Sequence, residues 1–174
     1  MQQPSFFSVS GLQHEGSWDL VPQQSLTDQS AFATPSTAFG TVMGIYSTAQ
    51  TFDFYGNLPQ VIQEYMGNNV DFVGTFPTLQ DLNTFSAVST NGNVATLWQV
   101  HYQVITRANK VIANIGSVPG LSDQEKSDYT GEAKFMRALA YFQLANLFAQ
   151  PFQVNSGSNL CVPLVVDDFD GNIT

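Results

Sequence analysis

Cysteine and positive charge are the scarcest things in this chain. One cysteine, Cys161, stands in 174 residues, which excludes an internal disulfide framework and any cysteine-rich zinc site. So little cysteine fits either redox compartment. Lysine and arginine number five against 14 acidic residues. None lies before Arg107; Arg107, Lys110, Lys126, Lys134 and Arg137 all fall within 31 residues. A nucleic-acid reader needs many cations to displace phosphate counterions, and a chain of net charge −9 cannot supply them, so no nucleic-acid partner is expected. Docking to an anionic membrane surface is disfavoured on the same ground. No run of about 18 apolar residues occurs, so no membrane-spanning helix is expected. Charged residues make up only 11 %, against about 25 % in ordinary domains.

Glutamine, asparagine, serine and threonine fill the gap, with 57 residues between them. The surface is therefore polar but mostly uncharged. Hydrophobic residues reach 43 % and aromatics 13 %, enough to bury a core and to argue against intrinsic disorder. The opening Met1-Gln-Gln-Pro-Ser-Phe-Phe lacks the charged and apolar regions of a signal peptide. The chain is either cytosolic or has lost a signal that preceded it.

Residues 1–35, rich in Gln, Ser, Gly and Pro, read as an extended arm. Residues 36–174 read as one helical domain that is completed by residues beyond 174 or by another chain. Pro35 suits a first helical turn, and Ala38, Phe39, Val42, Met43, Tyr46 and Ala49 follow at helical spacing. A helix is predicted over 36–51, with Gly40 and Gly44 permitting a close neighbour. Leu58, Val61, Ile62, Tyr65 and Met66 predict a short second helix, started by Pro59 and stopped by Gly67-Asn68-Asn69. Residues 67–92 show no sustained period and read as a long loop; loops of that length are usually functional or disordered.

A third helix is predicted over 93–115, its stripe running from Val94, Leu97 and Trp98 to Ile112 and Ile115, with Gly116 as its stop. Ser122 and Glu125 form a capping box that opens a fourth helix, 122–149, packed antiparallel to the third. Its second half, from Phe135 to Phe148, is apolar nearly all round, as in a helix buried between neighbours. Residues 153–159 read as a polar loop. Leu160 to Val166 reads as a short strand or extended segment, limited to a sheet edge by Pro163.

Ala138-x3-Phe142-x2-Ala145, with Pro151 beyond, approaches the second helix of a tetratricopeptide repeat. A wider pattern is more specific. Trp18-Asp-Leu-Val-Pro22 and Ser25-Leu-Thr-Asp28 precede the Ala38–Tyr46 helix. Then come Leu97-Trp98-x3-Tyr102-x2-Ile105-x2-Ala108-Asn109-x-Val111-Ile112, the capping box, Gly131-Glu-Ala-Lys-Phe-Met-Arg-Ala-Leu-Ala-Tyr-Phe142 and Val162-Pro-Leu-Val165. In this order the elements resemble the N-terminal region of the SusD/RagB family, nutrient-binding lipoproteins of the Bacteroidetes outer membrane. The resemblance covers residues 17–166, the first third or so of a typical member.

The resemblance implies a mainly α fold of tetratricopeptide-like α/α superhelical type, here with a short edge strand. It implies a non-enzymatic role: capture of glycans or peptides at the cell surface for a SusC-like TonB-dependent transporter, on which such proteins sit as a lid. It implies an outward-facing location with a lipid anchor on a Cys upstream of Trp18. Two features depart from the family: the signal and lipid-bearing Cys are absent, and a longer loop, 149–161, replaces the usual Gly-x-Val-Pro.

Trp98, Tyr102, Asn109, Glu132 and Arg137 fall on family positions. Each reads as packing or tying, with Asn109 holding loop backbone and Glu132 pairing with a cation along its helix; a ligand role is the alternative. The bet for binding falls on the loop at 67–85. Sugar rings present C–H faces to aromatics and hydroxyls to Asn and Asp, so Asn69, Asp71, Phe72 and Phe76 are the candidate contacts. Their alternative is loop aromatics tucked into the core.

No metal or other cofactor is expected. His14 and His101 have no ligand partner at zinc spacing. The acidic run from Asp167 to Asn172 lacks the side chains a calcium loop needs, with Val166 in one ligand position. Nucleophile, phosphate-loop and dinucleotide motifs are absent, and nothing orders two carboxylates around a pocket, so an enzyme is not expected. The competing function is a helical protein–protein scaffold without a small ligand.

Overall fold

Helices begin where the chain supplies oxygen atoms for their first N–H groups. The computed structural model describes residues 28–167. After a short helix α1 (Asp28–Ala31), helix α2 (Pro35–Ala49) opens on Thr34, whose Oγ1 accepts from the Thr37 N–H at 3.2 Å while Thr37 Oγ1 accepts from the Thr34 N–H at 3.1 Å. Pro35 takes the first helical position, where its missing N–H has no partner to lose. Of the arm predicted over 1–35, residues 1–27 lie outside the described residues, as does His14.

A π-helical turn, Phe52–Gly56, follows α2 and drives Phe54 fully into the core. Gly56 is required there: a Cβ would come within 2.9 Å of the Thr51 carbonyl, which also accepts the Gly56 N–H at 3.0 Å. Helix α3 spans Leu58–Met66. The loop predicted over 67–92 contains a helix, α4 (Pro77–Asn83), opened by a proline at its first position. Helix α5 is Gly92–Asn114 and tightens into a 3₁₀ turn, Ile115–Ser117, so the stop is that turn and not a left-handed Gly116.

Helix α6 (Asp123–Phe148) opens on the capping box. The Glu125 N–H donates to Ser122 Oγ at 3.3 Å, and the Glu125 carboxylate accepts from the Ser122 N–H at 2.8 Å. A last short helix, α7 (Phe152–Asn155), falls where a polar loop was predicted.

Helices α5 and α6 run antiparallel, since Asn109 meets Arg137, His101 meets Gln143 and Trp98 meets Phe148. Ile105, Ala108 and Val111 of α5, Ala140 and Leu144 of α6, and Val42 and Ile45 of α2 form the centre of the core. His101 is fully buried, with Nδ1 donating to the Leu97 carbonyl at 2.7 Å and Nε2 2.7 Å from the Gln143 side-chain amide.

Three expectations are corrected. First, α6 is not buried all round: Ala133, Met136, Ala140 and Leu144 face the core, while Phe135 and Phe142, two turns apart, are 64 % and 65 % exposed. Only one face meets another described helix, so the apolar residues opposite it stay on the surface. Second, a Cβ at Gly40 would meet no neighbour within 4 Å, so nothing packs closely there; of the two glycines only Gly44 has a close neighbour, the Arg107 guanidinium, which donates to its carbonyl at 2.8 Å. Third, residues 160–166 are extended but belong to no strand, and no strand occurs among the described residues. Side chains of α5 and α6 satisfy this segment in place of a neighbouring strand. No helix among the described residues is long and apolar enough to cross a membrane.

Candidate functional site

The positions singled out in the sequence separate into two places. The first is a clamp between α5 and α6 that grips the extended segment. Asn109, buried at 2 % exposure, donates through Nδ2 to the carbonyls of Val165 at 3.0 Å and Asp167 at 2.9 Å. Its Oδ1 accepts from the Arg137 guanidinium at 2.8 Å, and the same Arg137 nitrogen donates to the Val166 carbonyl at 2.9 Å. Tyr141 Oη accepts from the Val165 N–H and donates to the Val165 carbonyl at 2.9 Å. Tyr102 Oη donates to the Pro163 carbonyl at 2.7 Å. Burial above all, with Tyr141 and Cys161 close by, raises the Tyr102 pKa, which keeps the phenol a donor.

Trp98 is half-buried, its ring 5.0 Å from Tyr102 and 5.2 Å from Phe148, edge-on to the latter. Glu132 does not pair with a cation on its own helix. It accepts from Tyr46 Oη at 3.0 Å, tying α6 to α2. That contact exists because α2 presents its tyrosine to the half-buried side of α6, a placement that spacing along one helix cannot reveal.

The second place is the chain between α3 and α5. Asn68 turns it out of α3 in a left-handed conformation, φ +53°. Asn69 is exposed and donates to the Glu64 carboxylate at 2.9 Å. Asp71 and Phe76 are exposed, the latter at 67 %. Phe72 turns back instead: it is half-buried, edge-on to Tyr65 at 6.4 Å, and its ring fills the space a side chain at Gly74 would need. The backbone is pinned by the Phe72 N–H donating to Asn83 Oδ1 at 3.2 Å. Asn91, 4 % exposed, does most of the anchoring. Its Oδ1 accepts from the N–H groups of Asn93 and Val94, and its Nδ2 donates to the Thr78 carbonyl at 3.0 Å and the Asp81 carboxylate at 3.3 Å. One side chain thus starts α5 and fastens α4 to it.

Sequence reasoning missed Phe85. Its φ of +56° is left-handed, uncommon for a bulky side chain and costing roughly 1–2 kcal/mol. The turn is held by the Ser86 N–H donating to the Asp81 carbonyl at 2.9 Å and Thr84 Oγ1 donating to the Gln80 carbonyl at 2.9 Å. The result is a ring 67 % exposed at the rim of an apolar cleft of about 260 Å³, walled by Ile62, Met66, Leu82, Leu97 and Phe148. Asn69, Asp71, Phe72 and Phe76 do not line that cleft. The available signal was an isolated aromatic inside the polar run Asn83-Thr-Phe85-Ser86.

The described residues form a helical domain with antiparallel α5 and α6 that carries an aromatic-bearing loop and holds an extended segment by its backbone. Residues 57–167 match the family model SusD-like, described as starch-binding and associating with the outer membrane, and the chain belongs to that family. It is 23 % identical over 158 residues to SusD-like protein P25 of Formosa agariphila, an alignment covering 84 % of this chain and 28 % of that one. A SusD superfamily protein from Bacteroides fragilis superposes with a TM-score of 0.68 at 23 % identity, over 80 % of this chain and 33 % of the other. A protein from Bacteroides vulgatus, provisionally described as sugar-binding, superposes with a TM-score of 0.64 at 27 % identity, over 79 % and 31 %. The chain therefore spans about a third of the length of these relatives.

Proposed function

We propose that this chain contributes to capture of a glycan at the outer membrane, without catalysis, and to its delivery to a SusC-like TonB-dependent transporter. A lipid anchor on the native precursor and an outward-facing location go with that reading. Its main support is membership of a family described as starch-binding and associating with the outer membrane. The loop between α3 and α5 supplies the fitting chemistry: exposed aromatic rings at Phe76 and Phe85 for sugar C–H faces, and the exposed Asn69 and Asp71 of the same stretch for hydroxyls. The half-buried Phe72 serves here as a wedge under the loop. A peptide ligand is the variant of this reading; the proposed N-terminal arm is kept only for residues 1–27, since Asp28–Ala31 form α1, Ala31 and Phe32 join the core and Pro35 opens α2.

Calorimetric titration of the intact protein with defined oligosaccharides tests it. Binding between about micromolar and millimolar, roughly −8 to −4 kcal/mol, is expected, with Phe85→Ala weakening it about tenfold while helix content is unchanged. The exposed Phe135 and Phe142 on α6 favour a second reading, a helical scaffold for another protein. Absence of any oligosaccharide or peptide binding at millimolar concentration gives that reading the field.

A further inference from the structure

The apolar cleft beneath Phe85 is the end of a longer track. It shares Val94 and Phe148 with a second hollow of about 400 Å³ that Ser89, Ala95, Trp98 and Gln99 complete. That hollow shares Trp98 and Gln99 with a third, of about 410 Å³, which runs past Tyr102 and Gln103 to Arg107 and Lys110. The three follow one side of α5 from Val94 to Lys110, about 24 Å at the helical rise.

The charge along this track is opposite to that of the chain. The protein has 14 acidic residues and five basic ones. Among the described residues, none that lines the three hollows is acidic, and two of the five cations stand together at the far end. Arg107 and Lys110 are three residues apart on one helix, so their side chains are neighbours. The Debye length at physiological salt is about 8 Å, so a group at this end responds to the charges nearest it, Arg107 and Lys110 among them, more than to distant acidic residues. Position along the track matters too. The aromatics Phe85, Phe148, Trp98 and Tyr102 come first and the amides of Gln99 and Gln103 lie beside them, which suits stacked sugar rings with hydroxyls to bind. Arg107 already donates through one nitrogen to the Gly44 carbonyl, which fixes a guanidinium that still has other N–H groups to offer.

From this juxtaposition we infer that the track takes an oligosaccharide carrying an anionic substituent, a carboxylate or a sulfate, which Arg107 and Lys110 bind. The inference rests on the glycan-capture reading and narrows its ligand to acidic sugars. Arginine and lysine both suit such groups, arginine through paired donors and lysine as a point charge.

The test is titration of the intact protein with three probes: an oligogalacturonide, a sulfated carrageenan oligosaccharide and a neutral malto-oligosaccharide. At least one anionic probe should bind about tenfold tighter than the neutral one, and the better of the two identifies the substituent. Lys110→Gln should weaken that binding about fivefold, the scale of one exposed ion pair, and added salt should weaken it further. Thr106→Lys, on the same stripe and exposed, should tighten it, a gain that a merely misfolded variant cannot give. Equal or tighter binding of the neutral probe, or anion binding indifferent to both substitutions, overturns the inference and leaves glycan capture standing. Failure of all three probes to bind overturns both.

Discussion

Replacing Asn109 with alanine should release the extended segment from the helix pair. The substitution removes three hydrogen bonds at once: two from Nδ2 to the Val165 and Asp167 carbonyls and one accepted from Arg137. A neutral bond contributes about 0.5–1.5 kcal/mol net, and one to a charged group about 1.5–3 kcal/mol. Three features reduce the sum. The Val165 carbonyl keeps Tyr141, Arg137 keeps the Val166 carbonyl, and the exposed Asp167 can turn to water. The expected loss is therefore about 2–3 kcal/mol, equivalent to about 5–10 °C in Tm for a chain of this size. Urea unfolding measures the stability, and amide hydrogen exchange over 160–167 locates the effect. Adding Arg137→Ala should cost less than the sum of the two singles, because both act on one network. A loss below about 0.5 kcal/mol with unchanged exchange in the segment would show that the clamp closes nothing.

Three further outcomes follow from other contacts. The Ser122 hydroxyl, then the Ser122 N–H, lower the Glu125 pKa, so this cap helps above the ordinary glutamate range and its help is lost as pH falls through the lowered value. Glu125→Gln should flatten that part of an acid-unfolding curve. Partial burial, then the hydrogen bond and charge of Glu132, raise the Tyr46 pKa; its contribution is complete below the ordinary tyrosine range and is lost as pH rises through the raised value, and Glu132→Gln should shift its ultraviolet titration downward. Ile105→Ala in the core should cost about 2–5 kcal/mol, whereas Phe142→Ala, on the exposed side of α6, should stay within about 0.5 kcal/mol, both read by urea unfolding.

The long helices were legible chiefly from their 3.6-residue period. Pro35 and the Ser122 capping box marked two of the starts, whereas Thr34 and Asn91, which also accept hydrogen bonds at helix starts, were not singled out. Ala38, Val42 and Ala49 of the α2 stripe and Leu97, Ile105, Ala108, Val111 and Ile115 of the α5 stripe became core, while Phe39 and Met43 stayed exposed. Helix α4 was not legible. It has seven residues and no fully buried side chain, so periodicity had nothing to act on, and Pro77 read as loop material when it was a first-turn residue. That 160–166 lies outside the helices was legible from its short apolar run, with Pro163 arguing only against a central strand. What satisfies it was not, because the partners are hydroxyl, amide and guanidinium groups 24 to 61 positions away. In the loop, residue chemistry suggested Asn69, Asp71, Phe72 and Phe76 as a set, but the turn of Phe72 towards Tyr65 and the outward ring of Phe85 depend on backbone geometry that composition does not encode.

The grip on residues 163–167 falls on main-chain atoms, apart from whatever packing their side chains add. Four carbonyls and one N–H receive it, while Leu164 is 72 % and Val166 45 % exposed. Main-chain atoms are the same in every residue except for the amide hydrogen that proline lacks. The tolerance to mutation should therefore be lopsided. Positions 164 and 166 can exchange many side chains with little effect, and Val165 excludes proline, whose missing N–H is the one Tyr141 accepts. Asn109, Arg137 and Tyr141 should accept few replacements. A saturation library scored for folding would then show a variable segment facing an invariant set of grips.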